Sequence, residues 1–179
     1  MKIITKIVTF VSIAALFVSC ASGPSLQKYY IDSQENKNFI SLDVPASVLK
    51  LKENVTAEEK EALNSLKKFN ILAFKKDGSN DAEFVAEKQK VKTILKNPKF
   101  KELMRIKDKE INFVLKYEGE DDSIDEVIVY ASNKEQGFAL VRVLGENMNP
   151  ANIMKLANNI SSVDSEGFKQ LEGLFKKGN

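Results

Sequence analysis

From Glu102 to Leu144 the apolar residues recur every second position, in four successive segments. Side chains alternate faces along a β-strand, so this pattern commits the stretch to a sheet. Glu102 to Lys107 sets Met104 and Ile106 on one side, and Ile111 to Tyr117 gathers Ile111, Phe113, Leu115 and Tyr117. Val127 to Ser132 is apolar on both sides, with Ile128 and Tyr130 opposite Val127, Val129 and Ala131. Phe138 to Leu144 repeats this, as interior strands do. Short polar links join the four, so an antiparallel meander is expected.

Upstream, Asn38 to Val44 alternates Phe39, Ser41 and Asp43 with Ile40, Leu42 and Val44, the pattern of a half-buried strand. Pro45 can open a short helix whose apolar face is Val48, Leu49 and Leu51. Thr56 and Glu59 form a capping box for a helix with the stripe Ala62, Leu63, Leu66 and Phe69. Residues 71–74 then make a short apolar strand closed by the turn at Asp77 and Gly78. If both strands lie in one sheet, the helix between them makes a parallel, right-handed crossover. Asn80, with Glu83 placed to reciprocate, caps a helix running to about Lys96 with Phe84, Val91, Ile94 and Leu95 inward. Downstream, Asn149 and Pro150 start a helix that buries Ile153, Leu156, Ala157 and Ile160. The last segment repeats Phe168, Leu171, Leu174 and Phe175 at helical spacing. The expected fold class is α+β, a mostly antiparallel sheet of about five or six strands with helices packed on one face.

The first nineteen residues read as an export signal. Lys2 and Lys6 form its positive start, and residues 7–18 form an apolar core of about a dozen residues, too short for the ~20 that span a bilayer. Ser19, Cys20, Ala21, Ser22 and Gly23 follow, and this cluster resembles the bacterial lipobox, in which cleavage precedes a cysteine that takes acyl chains. Phe17 departs from that pattern, which most often has Leu there. The resemblance implies lipidation of Cys20 and anchoring in a membrane. Ala21 stands where an inner-membrane retention signal has Asp, and no acidic cluster resembling a Bacteroidetes surface-export signal follows. The expected address is the cell envelope, outer membrane facing the periplasm, with exposure at the cell surface left open. Residues 20–36 read as a flexible tether, 37–160 as the domain and 161–179 as an amphipathic C-terminal helix.

Composition narrows the chemistry. The chain has no His and no Trp, and Cys20 is its only cysteine. Intradomain disulfides, His/Cys zinc sites and any histidine-based triad are therefore excluded. Of 27 lysines and arginines, Lys2 and Lys6 fall in the signal, so the remainder balances the 25 acidic residues. That balance leaves no net basic footprint for nucleic acid. No nucleophile motif such as Gly-x-Ser-x-Gly occurs, and neither an enzyme nor a cofactor is expected.

Several residues invite a functional reading. Glu118, Glu120, Asp121, Asp122, Asp125 and Glu126 crowd one turn, where a hard cation could find oxygens, but their spacing matches no EF-hand loop and a solvated turn is the expectation. Asp122, Ser123 and Ile124 resemble the short Bacteroidetes O-glycosylation motif, which would make Ser123 the acceptor. Arg105 and Arg142, the only arginines, could read an anion bidentately, or face solvent or pair with an acid across the sheet, which is favoured. Lysine runs such as residues 88–90 are expected as outward helix faces.

The stretch from Glu102 to Asp108, the following strand-turn-strand, residues 138–145 and the helix over 152–160 together resemble a Bacteroidetes family of small secreted or lipidated envelope proteins, domain of unknown function 4252. The resemblance covers roughly residues 37–160 and implies the fold and the envelope address, but no activity, ligand or site residue. Two functions stand as expectations: a lipid-anchored interaction module meeting another envelope protein, or a small-ligand-binding lipoprotein.

Overall fold

A computed structural model describes residues 24–163, so the signal, Cys20 and the expected helix after residue 163 lie outside the described residues. Along the chain run α1 (Leu26–Ser33), β1 (Phe39–Pro45), a 3-10 turn (Ala46–Val48), β2 (Leu49–Leu51), α2 (Ala57–Ser65), β3 (Leu66–Lys75), α3 (Asp81–Ile94), β4 (Lys101–Lys107), β5 (Ile111–Gly119), β6 (Ile124–Asn133), β7 (Gly137–Met148), α4 (Pro150–Asn159) and β8 (Ile160–Val163). Six strands form one sheet in the order β1-β3-β7-β6-β5-β4, every neighbour antiparallel, and β2 pairs with β8 in a small second sheet. The α+β class and the meander β4 to β7 are as expected. No helix among the described residues is long and apolar enough to cross a membrane.

Four expectations about the elements are corrected. The helix beginning at Thr56 has its capping box, with the Thr56 hydroxyl accepting from the Glu59 N–H and the Glu59 carboxylate from the Thr56 N–H. It ends at Ser65, however, and Leu66 and Phe69 belong to β3. Phe69 sits in register between Val44 of β1 and Val143 of β7, and two strand ladders outweigh the local helical spacing. For the same reason β1 and β3 are direct antiparallel neighbours, and the parallel crossover does not form. The helix expected after Pro45 is one 3-10 turn leading into β2, and Ile160 opens β8 instead of closing α4.

Within residues 20–36, where a tether is expected, Leu26–Ser33 is the helix α1. Ser25 caps α1 by accepting the Lys28 N–H, and the helix buries Leu26, Tyr29 and Tyr30 in the main core. There Phe39, Phe74, Phe84, Phe138 and Tyr130 pack ring against ring between α1, α3 and one sheet face. The other face is handled in two ways. Near β2 and β8, α2 and α4 cover Phe69, Val127 and Val143. The Glu59 carboxylate joins these helices by accepting from the Asn159 amide. Further along that face, Ile40, Leu42, Ala139 and Val141 are only half buried.

Two glycines fix connections. Gly137 has φ 129°, and a Cβ there would lie 1.9 Å from the Phe74 carbonyl oxygen. Gly119 has φ 125°, with a Cβ position 2.7 Å from the Ser123 carbonyl oxygen at the β5–β6 turn.

Candidate functional site: the open edge of the sheet

β4 is an end strand of the sheet, and all seven of its residues are exposed. Its register against β5 shifts between Glu102 and Met104, so Leu103 is the extra residue at an irregularity of the kind that guards sheet edges. Beyond it Met104 faces Leu115 and Ile106 faces Phe113. The hairpin closes on Asp108, whose carboxylate accepts the N–H groups of Glu110 and Ile111 at 2.7 Å each. Those donors hold the Asp108 carboxyl below its usual range. The result is an apolar ridge: Leu103 is 49% exposed, Met104 39%, Ile106 53% and Ile111 46%.

The opposite face of the same hairpin is cationic. α3 covers the middle of the sheet, and between α3 and β4–β5 lies an open cleft of about 750 Å³. Leu95, Val114 and Tyr130 are among its apolar lining, with seven lysines and Arg105 against three carboxylates. Arg105 is held by Glu102, and Lys116 donates to the Phe100 carbonyl at 2.7 Å. Lys88 lies over the Phe84 ring, 4.7 Å from its centroid. Burial, then the charges of Lys134 and Lys76, pull the Lys88 ammonium below its usual range, and burial does the same to Lys116. The lysine run at 88–90 is thus split: Lys90 pairs with Glu87 on the α1 side of α3, whereas Lys88 and Gln89 line the cleft. The spacing of Lys88, Lys92 and Lys96, four residues apart, was a legible sign of one cationic helix face.

The other sequence candidates are drawn into structure. Arg142 is buried and grips Glu126 with two hydrogen bonds, Nε to Oε1 at 2.6 Å and Nη2 to Oε2 at 2.9 Å, while Nη1 reaches Gln27 of α1 at 2.9 Å. It pairs across the sheet and leaves no open fork for a ligand. In the acidic turn, Glu118 pairs with Lys99 and Asp121 with Lys101. Asp121 also accepts from the Tyr117 hydroxyl, and these partners hold its carboxyl below the usual range. Among the described residues no group of three or more carboxylates is placed to hold a metal ion. Ser123 is half buried, and its hydroxyl donates to the Asn147 side-chain oxygen at 2.9 Å.

Fold and site together define an α+β protein built on one six-stranded antiparallel sheet, with an edge that is apolar on one face and cationic on the other. The chain belongs to the family described as Domain of unknown function (DUF4252), whose model matches residues 29–156. That match begins inside α1 and takes in its residues from Tyr29 onward. No curated protein and no solved structure matches the chain.

Proposed function

We propose that this is a lipid-anchored protein of the cell envelope, acylated at Cys20, that works as a non-enzymatic interaction module. The observation that carries the interaction is the exposed ridge of Leu103, Met104, Ile106 and Ile111 on an edge strand. Soluble domains seldom leave such residues grouped on a free edge, where the outer N–H and C=O groups also await partners. The occupant that satisfies both needs is an extended segment of another envelope protein, pairing with β4 by its backbone and setting apolar side chains against Met104 and Ile106. Absence of His and of any thiol but Cys20 argues against histidine-based acid–base and thiol chemistry.

Placing a photocrosslinking side chain singly at Met104, Arg105, Ile106 and, as a control, Glu61 tests the contact in intact cells. The expected result is one discrete protein adduct from positions 104 and 106, little from 105, and none from 61. The same adducts from position 61, or none from β4, would move the contact elsewhere. A second reading, a small-ligand-binding envelope lipoprotein, draws on the cleft between α3 and β4–β5.

A further inference from the structure

The basic groove is at odds with the chain's overall charge. Outside the signal the lysines and arginines balance the acids, yet one cleft collects seven lysines and Arg105 against Glu102, Asp108 and Glu110. Of these cations Arg105 has its own carboxylate and Lys116 a carbonyl. Lys92, Lys96 and Lys107 show no ion pair among the described residues and surround an apolar floor that includes Val114 and Tyr130. Like charges held together over low-dielectric walls focus the field outward into the groove. A ligand that fits must therefore supply several negative oxygens and an apolar body.

The position of the cleft narrows the source. Pro24 and Ser25, at the start of α1, lie by Glu87, Lys90 and Ile94 on one side of α3, and the cleft opens on the side bearing Lys88, Lys92 and Lys96. With α1 folded from Leu26, the link from Cys20 reaches at most roughly 20 Å even when fully extended. A chain anchored at Cys20 would hold both sides of α3 close to the bilayer. We infer that the cleft between α3 and the β4–β5 hairpin binds the phosphate headgroup of an anionic lipid, with Lys92, Lys96 and Lys107 around the phosphate and Val114 and Tyr130 under the glycerol and first methylenes. This names the ligand class for the ligand-binding reading and rests on it; the proposed anchor at Cys20 argues for a lipid as the source, and the β4 contact is not involved.

The test uses the chain from residue 20 onward with Cys20→Ser, which keeps every described element and cannot take an acyl chain. Its binding is measured to vesicles of phosphatidylcholine alone, to vesicles of phosphatidylcholine with phosphatidylglycerol, and to glycerol 3-phosphate in solution. Two variants of equal charge accompany it: Lys92→Gln/Lys96→Gln/Lys107→Gln in the cleft, and Lys37→Gln/Lys60→Gln/Lys68→Gln on exposed sites outside it. All six lysines are exposed, so both variants should keep the parent's circular dichroism. Binding to the phosphatidylglycerol vesicles alone is expected, weakened roughly a hundredfold by the cleft changes and little by the others. Equal weakening by both variants would reduce the effect to net charge and overturn the site. Binding of glycerol 3-phosphate without vesicle binding would overturn the lipid assignment while keeping a ligand-binding cleft. Binding of none of the three would remove both the inference and the ligand-binding reading.

Discussion

At the scale of single residues, the Arg142–Glu126 pair shows how a charge can be buried in this sheet. Glu126 meets two nitrogens of the guanidinium, Gln27 takes a third, and the Tyr30 ring lies 5.5 Å from the guanidinium carbon. Removing one partner strands the other, so Glu126→Ala should cost about 3–5 kcal/mol in denaturant unfolding, whereas Arg142→Met with Glu126→Leu should be far milder. Sequence showed an arginine in an apolar strand and named acid pairing across the sheet as its commoner use. It could not name Glu126, because that pairing depends on strand register. Tyr29 and Tyr30 give a pH prediction. Burial, then Glu87, raises the Tyr29 hydroxyl, and burial raises that of Tyr30 far above the usual tyrosine range. Their folded forms hold protons that the unfolded chain loses above about pH 10, so the contribution of these two hydroxyls to stability is level below that pH and falls above it. Each tyrosine contributes a slope of up to about 1.4 kcal/mol per pH unit. Urea midpoints measured on either side of pH 10 should show this fall, and Tyr29→Phe should make it shallower. At Gly137, an alanine Cβ would run into the Phe74 carbonyl, and Gly137→Ala should lower the thermal midpoint clearly while an alanine at the exposed Ser79 should not.

At the scale of elements, α1 separates what periodicity shows from what packing decides. Residues 26–33 are short and mixed in character, and an isolated helix of eight residues is not stable in water. The helix exists because Leu26, Tyr29 and Tyr30 enter the core, with the Tyr29 hydroxyl donating to Glu87 and the Tyr30 hydroxyl to the Leu140 carbonyl. Leu26→Ala should therefore cost about 2–5 kcal/mol, an effect no flexible tether would show. The end of α2 teaches the same lesson, since Leu66 and Phe69 fit a helical stripe until β1 and β7 bind them as strand. The β4–β7 meander was legible because each strand is bounded by polar turns, with β4 and β5 alternating and β6 and β7 apolar on both sides. Its open edge was not legible, because no local pattern says which strand ends the sheet. β4 now carries the interaction proposal, and Ile106→Lys should leave the unfolding free energy within about 0.5 kcal/mol of the parent while abolishing the crosslink from position 104.

At the scale of the whole molecule, one sheet serves two environments. One face is sealed by α1 and α3 around an aromatic core, except where the cationic cleft opens beside β4 and β5. The other is covered by α2 and α4 at one end and half exposed over Ile40, Leu42, Ala139 and Val141. The proposed anchor would enter beside the first face, so the cleft meets the membrane and the β4 ridge remains free for a protein partner. The proposed anchoring turns on whether Cys20 is the first residue of the mature protein and carries lipid. Intact-mass measurement on the native protein, paired with the Cys20→Ser form expressed in the same cells, tests that most directly. The proposal predicts a mature chain beginning at Cys20, heavier than its polypeptide by several acyl chains and a glycerol, and an uncleaved, unacylated chain when Cys20 is replaced. A native mass that fits the bare polypeptide, or a start at any other residue, would contradict it.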